Sequence, residues 1–123
     1  MRFVYPQGKR KALTFSYDDG QSYDRRLAEL LRSHGLKGTF HLNSGRLGLH
    51  RGDEVFIGRE EIKEVYAGHE VACHGVEHRN LPTITRQQAI LEIQEDRKAL
   101  EEITGGLVQG MSYAFGNYNQ EIM

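Results

Sequence analysis

Short runs of β character alternate with amphipathic runs of helical spacing along the whole chain, and this alternation limits the possible folds more than any other feature. Lys11 to Tyr17 is the first expected strand, with Leu13, Phe15 and Tyr17 on one face. A helix follows, with Ser22 as candidate N-cap and with Tyr23, Leu27, Leu30, Leu31 and His34 at helical spacing up to a stop at Gly35. Lys37 to Asn43 reads as the second strand, and Ser44 to Gly58 as a Gly-rich loop. The stretch REEIKEVYAG is a short helix with acidic residues in its first turn, and HEVACH is the third strand. Thr85 and Gln88 form a capping-box pattern ahead of the longest helix, which runs to Gly105–Gly106. LVQGMSYAFG is the expected fourth strand, and NYNQEIM opens one more helix, capped by Asn117 or Asn119. This βαβαβαβα order implies about four parallel strands joined by right-handed crossovers, an α/β fold. A length of 123 residues fits one domain over 1–123.

Composition narrows the partners. The net charge is −1 and no basic stripe is present, which argues against nucleic acid. No apolar run approaches the roughly 20 residues of a membrane helix, so no membrane is expected as partner. The opening stretch lacks the apolar core of a signal peptide, and as the sequence stands a cytoplasmic location is expected. Cys73 is the single cysteine, so no disulfide can form within the chain.

In parallel α/β architectures, sites form at the carboxyl ends of strands. Asp18 and Asp19 end the first strand, His74 ends the third, and Ser112 to Gly116 close the fourth. Three polar groups of residues therefore fall on one rim. Adjacent carboxylates repel, and neither is easily buried without a partner. A cation between them is one explanation, and a solvated Asp-Gly turn is the other. His74 and His78, four apart in HGVEH, can converge on one ion or can be ordinary loop histidines. Two histidines with one carboxylate make a common catalytic zinc set, leaving a position for water. Occurring together on one rim, the two features favour a site. Cys73 should point away from that rim and is read as a small buried residue. His41 cannot be assigned to a face. His34 and His50 are expected at the surface, and the charged residues from Glu92 to Glu102 as i,i+4 pairs on an exposed helix.

TFSYDDG, HGVEH and SYAFG, in this order and spacing, resemble the first three motifs of the polysaccharide deacetylase family, the NodB-homology or carbohydrate esterase 4 family. GLKGTFHLN is similar to the family's second strand. The resemblance implies a partial (β/α) barrel. It also implies a metal-dependent hydrolase that removes N-acetyl (or O-acetyl) groups from a carbohydrate such as chitin oligomers or peptidoglycan. On this resemblance Asp18 would be the catalytic base. Asp19, His74 and His78 would hold a divalent ion, Zn²⁺ or else Co²⁺ or Ni²⁺. The backbone N–H of Phe115 would face the oxyanion, with Ser112, Tyr113 and Gly116 toward the substrate.

The chain departs from the family pattern in several places. Gly75 stands where Ser or Thr is usual, and Ser112 and Ala114 stand where Arg and Pro are usual. The Arg normally pairs with the base. The later motifs, with the histidine that acts as general acid, would lie beyond Met123. The chain is thus expected to be the N-terminal part of such a domain, with low activity. The alternative is a catalytically dead metal- or glycan-binding remnant. A barrel left open should expose strand edges and an apolar face, from which a two-fold homodimer is expected.

Overall fold

A computed structural model describes residues 4–123; Met1 to Phe3, which open the stretch read for a signal peptide, lie outside the described residues. Three parallel strands form the central sheet: β1 (Ser16–Asp19), β2 (Thr39–Leu42) and β5 (Glu70–Cys73), in the order β1-β2-β5. Helix α1 (Asp24–Ser33) connects β1 to β2. A small antiparallel ribbon, β3 (His50–Arg51) with β4 (Glu54–Val55), and the one-turn helix α2 (Ile62–Val65) lie between β2 and β5. The long helix α3 (Arg86–Thr104) follows β5.

The register sets Ser16, Thr39 and Glu70 side by side, then Tyr17, Phe40 and Val71, then Asp18, His41 and Ala72, then Asp19, Leu42 and Cys73. Strand alternation turns Tyr17, Phe40, Leu42 and Cys73 toward the helices. There they pack with Ala28 and Leu31 of α1, Ile62 and Tyr66 around α2, and Leu100 and Ile103 of α3. The opposite face carries Ser16, Asp18, Thr39, His41, Glu70 and Ala72. It is polar, and Thr39 Oγ1 donates to Glu70 Oε2 at 2.6 Å across it. The bare apolar face expected from an open barrel is therefore absent from this sheet.

Several elements differ from their sequence expectation, each for a local reason. The first strand begins at Ser16 rather than Lys11, because Ser16 pairs with Thr39, where β2 itself begins. Leu13 consequently runs off the sheet and is 79% exposed. The fourth strand contracts to a single bridge between Cys73 and Met111. It is held by Cys73 N–H to the Gly110 carbonyl at 2.9 Å and Ser112 N–H to the Cys73 carbonyl at 3.0 Å. Residues 120–122 form a turn rather than a helix, and Asn119 Oδ1 accepts from the N–H groups of Glu121 and Ile122. Ser22 does not cap α1: the helix opens after Tyr23 with no side-chain cap, and the Ser22 N–H donates to the Val55 carbonyl at 2.7 Å. On α3 the Thr85–Gln88 capping box forms as expected. Glu92 and Asp96, however, are buried rather than exposed, while Arg97 and Glu101 make the i,i+4 pair at 2.9 Å.

One buried acid responds to pH. Asp24 opens α1 and accepts from the Tyr66 hydroxyl at 2.7 Å. Burial pushes its carboxyl from 3.8 up to about 6, the Tyr66 hydrogen bond opposing and the Asp19 charge assisting. The native state therefore holds a proton that the unfolded chain has already released, so stability falls as pH rises from about 4 to 6. In metal-free protein this fall should amount to roughly 2–3 kcal/mol in urea denaturation, and Asp24→Asn should remove it. An equal pH slope in both proteins would contradict the assignment.

Candidate metal centre and active site

Asp18 and Asp19 are sequence neighbours, so plain strand alternation would separate their side chains. The strand ends in a left-handed turn instead, with φ 78° at Asp19 and 70° at Gly20. Both carboxylates then reach one imidazole: His74 Nε2 lies 3.9 Å from Asp18 Oδ2 and 3.7 Å from Asp19 Oδ1. Gly20 is required at the turn, because a Cβ there would stand 2.8 Å from Leu42 Cδ2. His78 brings its Nε2 to 3.3 Å from Asp19 Oδ1. Asp19 (φ 78°), His78 (φ 56°) and Phe115 (φ 62°) all hold left-handed backbone without being glycine, a costly state that clusters at functional sites.

The tautomer of His74 follows from its surroundings. The ring is buried, and Nδ1 lies 3.1 Å from the Ser112 carbonyl oxygen, which can only accept. Nδ1 therefore carries a hydrogen, and in the neutral ring Nε2 offers its lone pair to the carboxylates. The Ser112 hydroxyl accepts from the same Nδ1 at 2.7 Å and donates to Asp18 Oδ1 at 3.1 Å. His78 stands edge-on to His74, with ring centres 4.7 Å apart, and to the exposed Phe115 ring at 4.6 Å. Burial, and next the His74 ring, hold its imidazole below the ordinary value.

A lone pair thus faces carboxylate oxygens, acceptor against acceptor. Asp19 Oδ1 is moreover buried without any hydrogen-bond partner, an expensive condition for a charged oxygen. One oxygen of Asp19 and one nitrogen each from His74 and His78 all lie within 4.8 Å of one another. Two neutral imidazoles and a carboxylate are the donor set that a divalent cation of the zinc type takes, and such an ion would satisfy the orphaned oxygen. The residues fit the ion.

The profile of the polysaccharide deacetylases matches residues 5–123. The chain belongs to the polysaccharide deacetylase family. It is 25% identical over 115 residues to YxkH of Bacillus subtilis (strain 168), a protein named as a polysaccharide deacetylase, across 92% of this chain and 40% of that one. The Streptococcus pyogenes deacetylase PplD, solved in complex with acetate, has a TM-score of 0.80 at 18% identity, over 92% of this chain and 50% of that one. A polysaccharide deacetylase from Bacillus cereus has a TM-score of 0.79 at 23% identity, over 94% of this chain and 37% of that one. The fold is the partial (β/α) barrel of these deacetylases, and the chain spans no more than half the length of any of these three relatives.

Within this deacetylase fold, His41 is the residue that sequence reasoning left unplaced. The register sets it beside Asp18, and its Nδ1 lies 3.0 Å from Asp18 Oδ1 and 3.2 Å from the Tyr17 carbonyl oxygen. The partner signal was strand parity, which becomes readable only once β1 and β2 are aligned. His41 and Ser112 together occupy Asp18 Oδ1. Of the other candidates, Tyr113 is half-buried and leans on Tyr118 with ring centres 5.5 Å apart, and Gly116 is exposed. Cys73 lies in the core, where burial pushes its thiol up to about 12. His69 is structural: its Nδ1 accepts from Gly38 N–H at 3.1 Å, and its Nε2 lies 2.9 Å from the Ala28 carbonyl oxygen.

In long-range ¹H–¹⁵N spectra of metal-free protein, the neutral form of His74 should carry its hydrogen on Nδ1 and none on Nε2. The opposite tautomer would contradict the arrangement around Ser112.

Proposed function

We propose that this chain is a metal-dependent hydrolase that removes acetyl groups from an N-acetylated (or O-acetylated) carbohydrate such as a chitin oligomer or peptidoglycan. The observation that carries the reading is the orphaned Asp19 oxygen facing two histidine nitrogens, with Asp18 beside it and outside the cluster. Asp19, His74 and His78 would hold the ion, Zn²⁺ in the first instance and Co²⁺ or Ni²⁺ as substitutes. Such an ion supplies a Lewis acid for the acetyl carbonyl and an acidified water at neutral pH.

The protein's own groups divide the remaining work. Asp18 Oδ1 is taken up by Ser112 and His41, which fixes the carboxylate and leaves Oδ2 turned toward the cluster. Asp18 Oδ2 takes the proton as a water oxygen bonds to the acetyl carbon. The carbon–nitrogen bond then breaks, acetate leaves, and the amine must gain a proton. His41 is tied through Nδ1 to Asp18 and the Tyr17 carbonyl, so it is not placed to give that proton, and turnover by this chain is expected to be slow. Phe115 N–H is the proposed donor to the oxyanion, with Ser112, Tyr113 and Gly116 around the sugar.

Acetate release from acetylated chitooligosaccharides tests the reading. Metal-loaded protein should release acetate, chelated protein should not, and Asp18→Asn should lose about 10²–10⁴-fold while keeping its metal. His78→Ala should lose the metal itself by elemental analysis. No release above the Asp18→Asn blank, or equal metal in His78→Ala and the unaltered chain, would overturn it.

For assembly we expect a homodimer formed by the open edges of β1 and of Gly110–Ser112, since unpaired edges recruit other chains. The polar opposite face of the sheet offers a second copy no apolar seat. Light scattering after size exclusion at micromolar concentration should therefore read a dimer; a 14.1 kDa monomer would show that the edges alone do not recruit a second copy.

A further inference from the structure

The loop that carries both histidines has no regular secondary structure, so its backbone must be held from elsewhere. Asp96, in the middle of α3, is fully buried at 0% exposure. Its Oδ2 accepts from the N–H groups of His74 at 3.0 Å and Gly75 at 3.1 Å. Its Oδ1 accepts from the N–H of Ser44, just past the end of β2, at 2.7 Å. Asn43, also fully buried, grips the same two residues through their carbonyls: Nδ2 donates to His74 O at 2.8 Å and to Gly75 O at 2.7 Å. One turn earlier on α3, Glu92 Oε2 accepts from the Glu77 N–H at 2.9 Å. The N–H and C=O groups of His74 and Gly75 thus meet the buried side chains of Asp96 and Asn43, the His74 N–H being shared with the Leu42 carbonyl at 3.0 Å.

Burying a carboxylate is costly unless hydrogen bonds offset it, and three backbone N–H groups are the partners here. An apolar residue at position 96 would leave the N–H groups of Ser44 and Gly75 without partners, and the His74 N–H with the Leu42 carbonyl alone, at 3.0 Å. The backbone so held is itself unfavourable, with φ +85° at Gly75 and 56° at His78. Gly75 also has no room to spare, since a Cβ there would stand 3.1 Å from Glu92 Oε2. Both the positive φ and this close approach favour glycine at position 75.

We propose that Asp96 is a positioning residue of the metal centre. With Asn43 as its counterpart, it fixes the His74–Gly75 backbone so that both Nε2 atoms face Asp19 before an ion arrives. This rests on the proposed metal site but concerns a residue that touches neither metal nor substrate. A site preformed in this way spends less of its binding free energy on ordering the loop.

The test is zinc affinity, read by competition with a chromophoric chelator, in Asp96→Asn. The amide keeps the shape but sets an NH₂ against at least one of the three N–H donors. Affinity should fall about ten- to a hundredfold, the usual effect of losing an outer partner of a ligand. Ile103→Val, in the same helix but away from the loop, serves as a control for lost stability and should leave the affinity unchanged. Equal affinity in Asp96→Asn and the unaltered chain, or an equal loss in the control, would overturn the proposal. Should Asp96→Asn not fold, amide exchange in the unaltered metal-free protein decides. The His74 and Gly75 amides should be protected like those of α3, and fast exchange there would overturn the proposal. If the unaltered chain binds no zinc, the proposed function falls, and the exchange result alone judges whether Asp96 holds the loop.

Discussion

The register of three parallel strands is the constraint on which the rest depends. Aligning Asp18 with His41 and Ala72, and Asp19 with Leu42 and Cys73, brings three chain exits to one rim. Just beyond the β2 and β5 exits, Asn43 and His74 then meet, Asn43 Nδ2 donating to the His74 carbonyl. A slip of one residue would turn Asp18 toward the helices and Tyr17 toward the rim. The apolar face formed by Tyr17, Phe40, Leu42 and Cys73 makes that slip expensive, so the core that stabilises the fold also fixes the site.

On this rim the electrostatics are unfinished. Two adjacent carboxylates and two imidazoles gather there, and among the described residues the buried Asp19 oxygen at their centre has no hydrogen-bond partner. The two aspartates nevertheless differ in surroundings. Asp18 is held by His41 and Ser112 on one oxygen, whereas Asp19 turns its buried oxygen to the histidines. Such different environments suit the different roles proposed for the two, a base and a ligand. The Ser112 carbonyl, the Asn43 amide and the Asp96 carboxylate, none of which would touch an ion, set the orientation of the ring and loop that would.

Much of this was legible in the sequence because it rests on local rules. The alternation of periods gave the α/β class, the Thr85–Gln88 pair gave the start of α3, and the carboxyl-end rule gave the rim. What escaped depends on alignment between distant segments. His41 could not be assigned until β1 and β2 were in register. Glu92 and Asp96 sit in a charged helix whose pattern reads as solvent-facing, and their burial follows from where the loop after β5 crosses α3. Leu107 to Gly116 has the composition of a strand but pairs only at Met111, so composition overstated its length. The expected apolar opening failed for a related reason: the residues opposite the helices, Ser16, Thr39 and Glu70, are polar, and Thr39 donates to Glu70 across the strands.

The central claim is that one oxygen and two imidazole nitrogens close on a single ion. X-ray absorption at the zinc edge of the zinc-loaded chain tests it most directly. The account predicts two imidazole shells near about 2.0–2.1 Å, with the remaining ligands oxygen. A sulfur shell near about 2.3 Å, which would bring Cys73 out of the core, or fewer than two imidazoles, would contradict it.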